Sequence, residues 1–340
     1  MAISRGTWIA LGLVIILIVA GGIGYWWYMR PLEEEGEVFK VAFIVTAALD
    51  DRSWNQWGYD ALKDIDELDD VEVTYAEYVE ITDFERVAGD YAAEGYDLII
   101  AHTYDYQEAA LAVAPQYPDT NFALYGAFSF LPNLAGYGVW GHEGLYCTGM
   151  LGAMLTETDK VGIVLAMKYP VQLVEFNGFV SGVQAANPNV TIYTSWTGTW
   201  YDVAKGYEAA ISMIDDGVDF ISIVLSGPGI GAIDACEERG KYVTGAFVDM
   251  NDLAPDAVVT SVVYYPYNAF MTLIDATRDG TFEGKSYDFD MTDGTVQLAP
   301  YHGFEDIIPQ DVKDTIAETV QNIQLGTVKV PFIPDRELPT

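Results

Sequence analysis

The residues best suited to hold a small molecule cluster in short segments that follow apolar runs. The first such segment, Ala48 to Trp57, brings together Asp50, Asp51, Ser53, Trp54 and Asn55, so carboxylates, a hydroxyl, an indole and an amide can surround one polar ring. The same segment has a plainer use, in which Asp51 or Ser53 caps a helix and Trp57 packs inward. Tyr104, Asp105 and Tyr106 follow a second apolar run, and Trp200, Tyr201 and Asp202 occupy a comparable place later in the chain. A flat heterocycle inserted between Trp54 and Trp200 would gain about 1–3 kcal/mol per stacked face, as bases do on aromatic side chains. Nearby Asn and Asp groups could then select its edge by hydrogen bonding. Sugars also stack on tryptophan, so stacking alone does not name the ligand.

Catalytic and metal-binding patterns are poorly represented. His102, His142 and His302 are scattered, and neither H-E-x-x-H nor G-x-S-x-G occurs. No cofactor, no metal and no enzymatic activity are expected. The nearest enzymatic reading, a nucleoside hydrolase acting through Asp50 and Asp51, meets the objection that carboxylates at a helix start ordinarily cap or face water. Gly227, Gly229 and Gly231 form a turn without the lysine of a phosphate-binding loop, which suits close backbone approach to a neutral ligand. Cys147 and Cys236 lie within apolar helical patterns and read as small buried hydrophobes, with a single disulfide between them the alternative that spacing does not decide.

The elements that must position these residues alternate in a βαβ rhythm. Strands are expected at 39–45, 71–77, 97–101, 121–125, 161–166, 191–195, 220–224, 242–247 and 258–263. Helices are expected at 56–68, 83–94, 143–155, 174–186, 204–215, 232–238, 267–279 and 309–325. This pattern predicts two α/β halves, each a parallel sheet flanked by helices. The first lobe is expected to comprise 38–135 plus about 249–282, and the second 136–248 plus about 283–333. In open parallel sheets ligands collect beyond the carboxyl ends of the strands. The aromatic segments fall there.

Ahead of this body, Gly6 to Met29 carries no charge and is largely apolar, long enough to cross a hydrocarbon core of about 30 Å. Residues 1–37 are therefore expected to form one transmembrane helix and an acidic linker; the alternative is a cleavable signal peptide, against which stand the length of the apolar run and the aromatic residues Tyr25 to Tyr28 at its end. Arg5 precedes the helix and Glu33, Glu34, Glu35 and Glu37 follow it, which favours a single-pass protein of the cell membrane with its body on the extracytoplasmic side. Sixteen basic against 51 acidic residues give a net charge of −35, which disfavours nucleic acid as a partner and promotes solubility at high ionic strength. Lower ionic strength is accordingly predicted to lower the melting temperature through self-repulsion; a melting temperature indifferent to salt would contradict this.

Several segments, in order and spacing, make the chain similar to one family from Val41 to Pro331. They are Asp51-Arg52-Ser53-Trp54-Asn55-Gln56, Gly95-Tyr96-Asp97-Leu98-Ile99-Ile100, Gly198-Thr199-Trp200-Tyr201-Asp202-Val203-Ala204-Lys205-Gly206 and Thr260-Ser261-Val262-Val263. They resemble the basic-membrane-protein, or purine-nucleoside-receptor-A-like, solute-binding proteins of ABC transporters. The resemblance implies a two-lobed periplasmic-binding-protein type I fold. It also implies reversible capture of a purine nucleoside or base, with delivery to a permease driven by a separate ATPase.

By resemblance, an aromatic from each lobe, on or close to Trp54 and Trp200, sandwiches the base, with Asn55 toward its edge. Asp51, Tyr104, Tyr106, Asp202 and Gly227 complete the expected contacts from the post-strand loops. The family commonly holds ribose with a G-x-D-S-D segment and a later lysine. Here the aligned run is Gly245-Ala246-Phe247-Val248-Asp249, and Tyr264 stands at the lysine position. Phe247, Asp249 and Tyr264 are thus expected in the site, and free bases become as suitable as nucleosides. The missing lipidation cysteine, replaced by Gly22, is the other departure from the pattern. A monomer is expected; a sensor ectodomain signalling through a partner protein and a sugar-binding transporter component are the competing readings.

Overall fold

The structure, a computed structural model, describes residues 38–340. Short runs rich in Val, Ile, Leu and Phe, buried on both faces, form the centres of two six-stranded sheets, as parallel strands covered by helices require, and half-exposed strands form their edges. The first sheet contains β1 (Phe39–Ile44), β2 (Val71–Ala76), β3 (Leu98–Ala101), β4 (Asn121–Tyr125), β5 (Leu134–Val139) and β11 (Ser286–Phe289), in spatial order β11-β5-β4-β3-β1-β2. The second contains β6 (Lys160–Leu165), β7 (Thr191–Trp196), β8 (Phe220–Val224), β9 (Tyr242–Phe247), β10 (Val258–Tyr264) and β12 (Val296–Leu298), in order β12-β10-β9-β8-β6-β7. All pairings are parallel except β10 with β12.

Helices α1 (Trp54–Asp66), α2 (Phe84–Ala93) and α3 (Gln107–Val113) follow strands of the first lobe. Those of the second are α4 (His142–Leu155), α5 (Pro170–Ala186), α6 (Val203–Asp215) and α7 (Gly227–Arg239). The chain then returns through α8 (Tyr267–Arg278) to the first lobe, where Phe270 packs on Phe43 and Tyr137, and ends with α9 (Gln310–Gln324). Helix α1 shows the local logic: Trp57, Gly58, Ala61, Leu62 and Ile65 recur at helical spacing and form its buried face.

The pair α4 and α5 is packed more closely than ordinary side chains allow. A Cβ on Gly182 would stand 2.0 Å from the Tyr146 carbonyl oxygen, and one on Gly178 would stand 2.2 Å from that of His142. Cys147 and Cys236 are free and fully buried, with burial pushing both thiols up to about 12, in keeping with their reading as small hydrophobes.

The sheets divide the chain differently from the expected lobe boundaries. Strand β10 lies in the second sheet between β9 and β12, although 249–282 was assigned to the first lobe. Strand β11 completes the edge of the first sheet, although 283–333 was assigned to the second, and β5 carries the first lobe to Val139. An apolar strand such as Val258–Tyr264 reads alike in either lobe, and the short, half-exposed β11 has little apolar signal. The chain thus crosses between lobes three times, after β5, after β10 and between β11 and β12. The expected N-terminal transmembrane helix lies outside the described residues; among those described, no helix is long and apolar enough to cross a membrane.

Candidate ligand-binding site

A cavity of about 700 Å³ opens between the lobes, beyond the carboxyl ends of strands from both sheets. On the first lobe it is bounded by the start of α1. There Asp51 acts as the cap, its carboxylate accepting the backbone N–H of Ser53 at 2.9 Å, Asn55 at 2.9 Å and Gln56 at 3.2 Å. Burial nevertheless raises its pKa above the ordinary aspartate value, with these bonds opposing the rise.

Trp54 opens α1, and its Nε1–H donates to the His102 carbonyl at 2.9 Å. The indole lies over the His102 ring at 5.1 Å and meets Tyr125 edge-on at 4.7 Å and Phe247 of the second lobe at 5.3 Å. Phe247 holds a left-handed backbone conformation, φ 74°, which costs a bulky residue about 1–3 kcal/mol and tends to persist where a site uses the geometry. Beneath Trp54, His102 is fixed between the Tyr137 hydroxyl at 2.6 Å and the Trp54 carbonyl at 3.0 Å.

Asn55 is only 2% exposed, and its Nδ2 donates to the Ala48 carbonyl at 3.1 Å, which fixes the amide orientation. Its Oδ1, buried at the cavity wall, has no hydrogen-bond partner among the described residues. Buried acceptors are ordinarily satisfied, so this one calls for a donor from the cavity.

On the second lobe, Trp200 packs beside Tyr169 at 6.3 Å, and both line the cavity with Tyr201 and Gly227. Helix α5 begins at Pro170 and carries Gln172 and Glu175 to the wall. Glu175 accepts from the Tyr264 hydroxyl at 2.7 Å and from Gln172 Nε2 at 3.3 Å. Desolvation pushes its carboxyl up to about 7, against the effect of those bonds. Among the described residues, no lysine, arginine or histidine lines the cavity, whereas Asp51, Asp105 and Glu175 do.

Asp51, Trp54, Asn55, Tyr104, Trp200, Gly227 and Phe247 are therefore brought together, and four other expected site residues lie elsewhere. Tyr106 is buried in the first lobe, stacked on Phe84 at 4.2 Å with its hydroxyl on the Val79 carbonyl. Asp202 caps α6 through the N–H groups of Ala204 and Lys205. Asp249 turns to His302 at 2.6 Å. Tyr264 stands behind the wall, holding Glu175. The glycines after β8 belong to α7 rather than to a turn, and Cβ atoms at Gly227 and Gly231 would strike the Tyr201 and Val203 carbonyls. Their smallness serves helix packing; of the three, only Gly227 reaches the cavity.

Sequence reasoning missed Glu175, Gln172, Tyr125, Phe128 and Tyr169, all of which line the cavity. A signal for the first was present: Glu175 is the only charged residue of α5.

The buried titratable groups make a pH prediction. His102 and His142 are lowered by burial to about 3 and about 4, so as pH falls below 6.5 the unfolded chain takes up protons that the fold refuses. Glu143 and Glu175, raised by burial to about 7 from 4.5, act oppositely between those values, because there the fold holds the extra protons. In about 1 M salt, where surface charges are screened, the two pairs oppose each other between pH 4.5 and 6.5; below that window the two histidines destabilise, against the single carboxyl of Asp51, whose folded pKa burial raises. The melting temperature should then fall as pH drops from about 4.5 to 3.5. A rise over that interval would contradict the assignment.

Two α/β lobes enclosing an aromatic, acidic cavity make a fold of the periplasmic-binding-protein-like class. The chain belongs to the family described as Bmp, ABC transporter substrate-binding protein PnrA-like, which it matches over residues 38–333. It is 30% identical over 301 residues to a purine-binding protein of Brucella abortus (strain 2308), covering 87% of this chain and 83% of that one. It is 28% identical to a putative ABC transporter glucose-binding protein, TsgA13, of Haloferax volcanii, with coverages of 85% and 73%. It is also 25% identical to the transcriptional activator protein Med of Bacillus subtilis (strain 168), with coverages of 90% and 93%. An ABC transporter solute-binding protein from Conexibacter woesei shares the fold, with a TM-score of 0.72 at 24% identity over 87% of this chain and 100% of that one.

Proposed function

We propose that this protein captures a purine base or nucleoside between its lobes and passes it to an ABC permease, held to the outer face of a membrane by its N-terminal segment. The observation that carries the reading is the buried, unpartnered Asn55 Oδ1 beside Trp54, an arrangement that stacks a flat ring and asks it for an N–H donor. Similarity to the Brucella purine-binding protein supports the same ligand class. Catalysis has no place in this reading, since Asp51 is committed to capping α1. The test is a calorimetric screen against purine bases, nucleosides, pyrimidines and simple sugars, after unfolding and refolding to strip carried-over ligand. A purine-selective response supports capture, and a glucose-selective one would align the protein with its Haloferax relative instead.

Similarity to Med favours a second reading, a ligand sensor that acts through a partner protein. Co-purification with a permease and its ATPase, rather than with a transducer or regulator, decides for transport.

A further inference from the structure

The cavity's second buried acceptor is Glu175, 5% exposed on α5. Its surroundings hold it in place without saturating it. Gln172 Oε1 accepts the Ala166 N–H at 2.7 Å, so the amide must direct its hydrogens to the Val224 carbonyl at 2.8 Å and to Glu175 Oε2 at 3.3 Å. The Tyr264 hydroxyl donates its single hydrogen to Glu175 Oε1. Each carboxylate oxygen therefore accepts one bond and retains capacity for another.

Elsewhere around this carboxyl the wall is aromatic. Tyr125 of β4 faces it from the first lobe with its hydroxyl on the Val139 carbonyl, Phe247 closes the same end, and Asp51 and Asp105 lie across the cavity. On α4, packed along α5, His142 and Glu143 belong to a separate group with Asp290, while Tyr146 and Cys147 carry pKa values raised by burial. Asp335, Arg336 and Glu337 of the C-terminal segment are exposed, where Asn177 holds that segment to α5.

We propose that Glu175 is a specificity-determining residue that accepts a ring N–H from the ligand, so that the cavity takes an unsubstituted heterocyclic base in preference to its riboside and rejects anions. The inference rests on the purine reading above and deepens it. Asn55 Oδ1 from the first lobe and Glu175 from the second ask one ligand for donors on two edges. A free purine offers a second N–H at the very nitrogen that a sugar would occupy. An anionic ligand would meet three carboxyl groups and, among the described residues, no cationic side chain.

Accepting a donor stabilises the carboxylate over the acid, so ligand binding lowers the pKa of Glu175 from about 7 and releases protons near neutrality. If the ionised form binds, affinity should rise about tenfold from pH 6 to pH 8, in step with the competent fraction.

The test is calorimetry of the full-length chain with adenine, hypoxanthine, adenosine and inosine, in two buffers of different ionisation enthalpy at each pH. Bases should bind at least about tenfold more tightly than their ribosides, with proton release on binding. Glu175→Gln should bind bases weakly, without proton release or pH dependence. Tyr264→Phe, which keeps the ring but removes one donor, should move the pH midpoint of binding upward. Equal affinity for bases and ribosides, pH-independent binding by the wild type, or an unchanged pH profile in either variant would each overturn the role of Glu175 while leaving purine capture standing. Absence of binding by all four compounds would remove purine capture and this inference together.

Discussion

Trp54→Ala is expected to weaken binding of a purine base about a hundredfold, toward the upper end of the stacking range, and to lower the unfolding free energy by about 3 kcal/mol, the low end for such a truncation because one side of the ring faces the cavity. The two losses have one cause. Trp54 is at once a cavity wall and a keystone of the aromatic cluster, touching His102, Trp57, Tyr125 and Phe247 and hydrogen-bonded to the His102 carbonyl. Its removal leaves a void against His102 and takes away the ring that meets Phe247 across the lobes. Trp200→Ala is the contrast. Trp200 is half-buried and packs beside Tyr169 at the cavity wall, so its loss should cost about 1–3 kcal/mol of affinity and little stability. Calorimetry with adenine and urea unfolding of both variants separate the roles. Equal stability losses in the two would show that Trp54 is no more structural than Trp200, and undiminished affinity in both would place the ligand elsewhere.

Gly182→Val is expected to damage the fold strongly. Its added carbons would begin 2.0 Å from the Tyr146 carbonyl oxygen, a backbone atom that cannot rotate away. Overpacking of this kind typically costs about 1–3 kcal/mol and occasionally more; with a backbone carbonyl as the obstacle, the upper end applies. Separating α4 from α5 would also shift Glu175, which rides on α5, so base binding should fall in whatever folded protein remains. Ala185→Val places the same β-branched side chain on the exposed side of the same helix and controls for helix propensity. Thermal melts should show a large drop for Gly182→Val and a small one for Ala185→Val. Similar melts for the two would mean the helices can part without penalty.

The βαβ rhythm was legible because buried parallel strands are short continuous apolar runs, and Leu98 to Ala101 or Phe220 to Val224 could be little else. Beginnings of elements were harder to place. Helix α7 starts at Gly227, where three glycines read as a turn, because their value lies in letting α6 approach, which no local pattern encodes. At the site, Trp54 and Asn55 were legible because polar and aromatic residues directly after a buried strand have few structural excuses. Asp202 and Tyr106 satisfied the same rule yet serve a cap and a core. Glu175 was hidden for the opposite reason: it lies inside a helix, and its importance arises from Tyr264, distant in sequence, coming to rest against it.

The threefold passage between lobes also governs the order in which the molecule can be completed. The edge strand β11 and the covering helix α8 of the first lobe are encoded after almost all of the second. While a nascent chain emerges, β5 remains an unpaired sheet edge until Ser286–Phe289 arrives. Such edges invite pairing with other chains. Synthesis stalled near residue 250 should therefore leave an aggregation-prone half rather than a dormant one, and neither lobe can be excised as a single uninterrupted fragment.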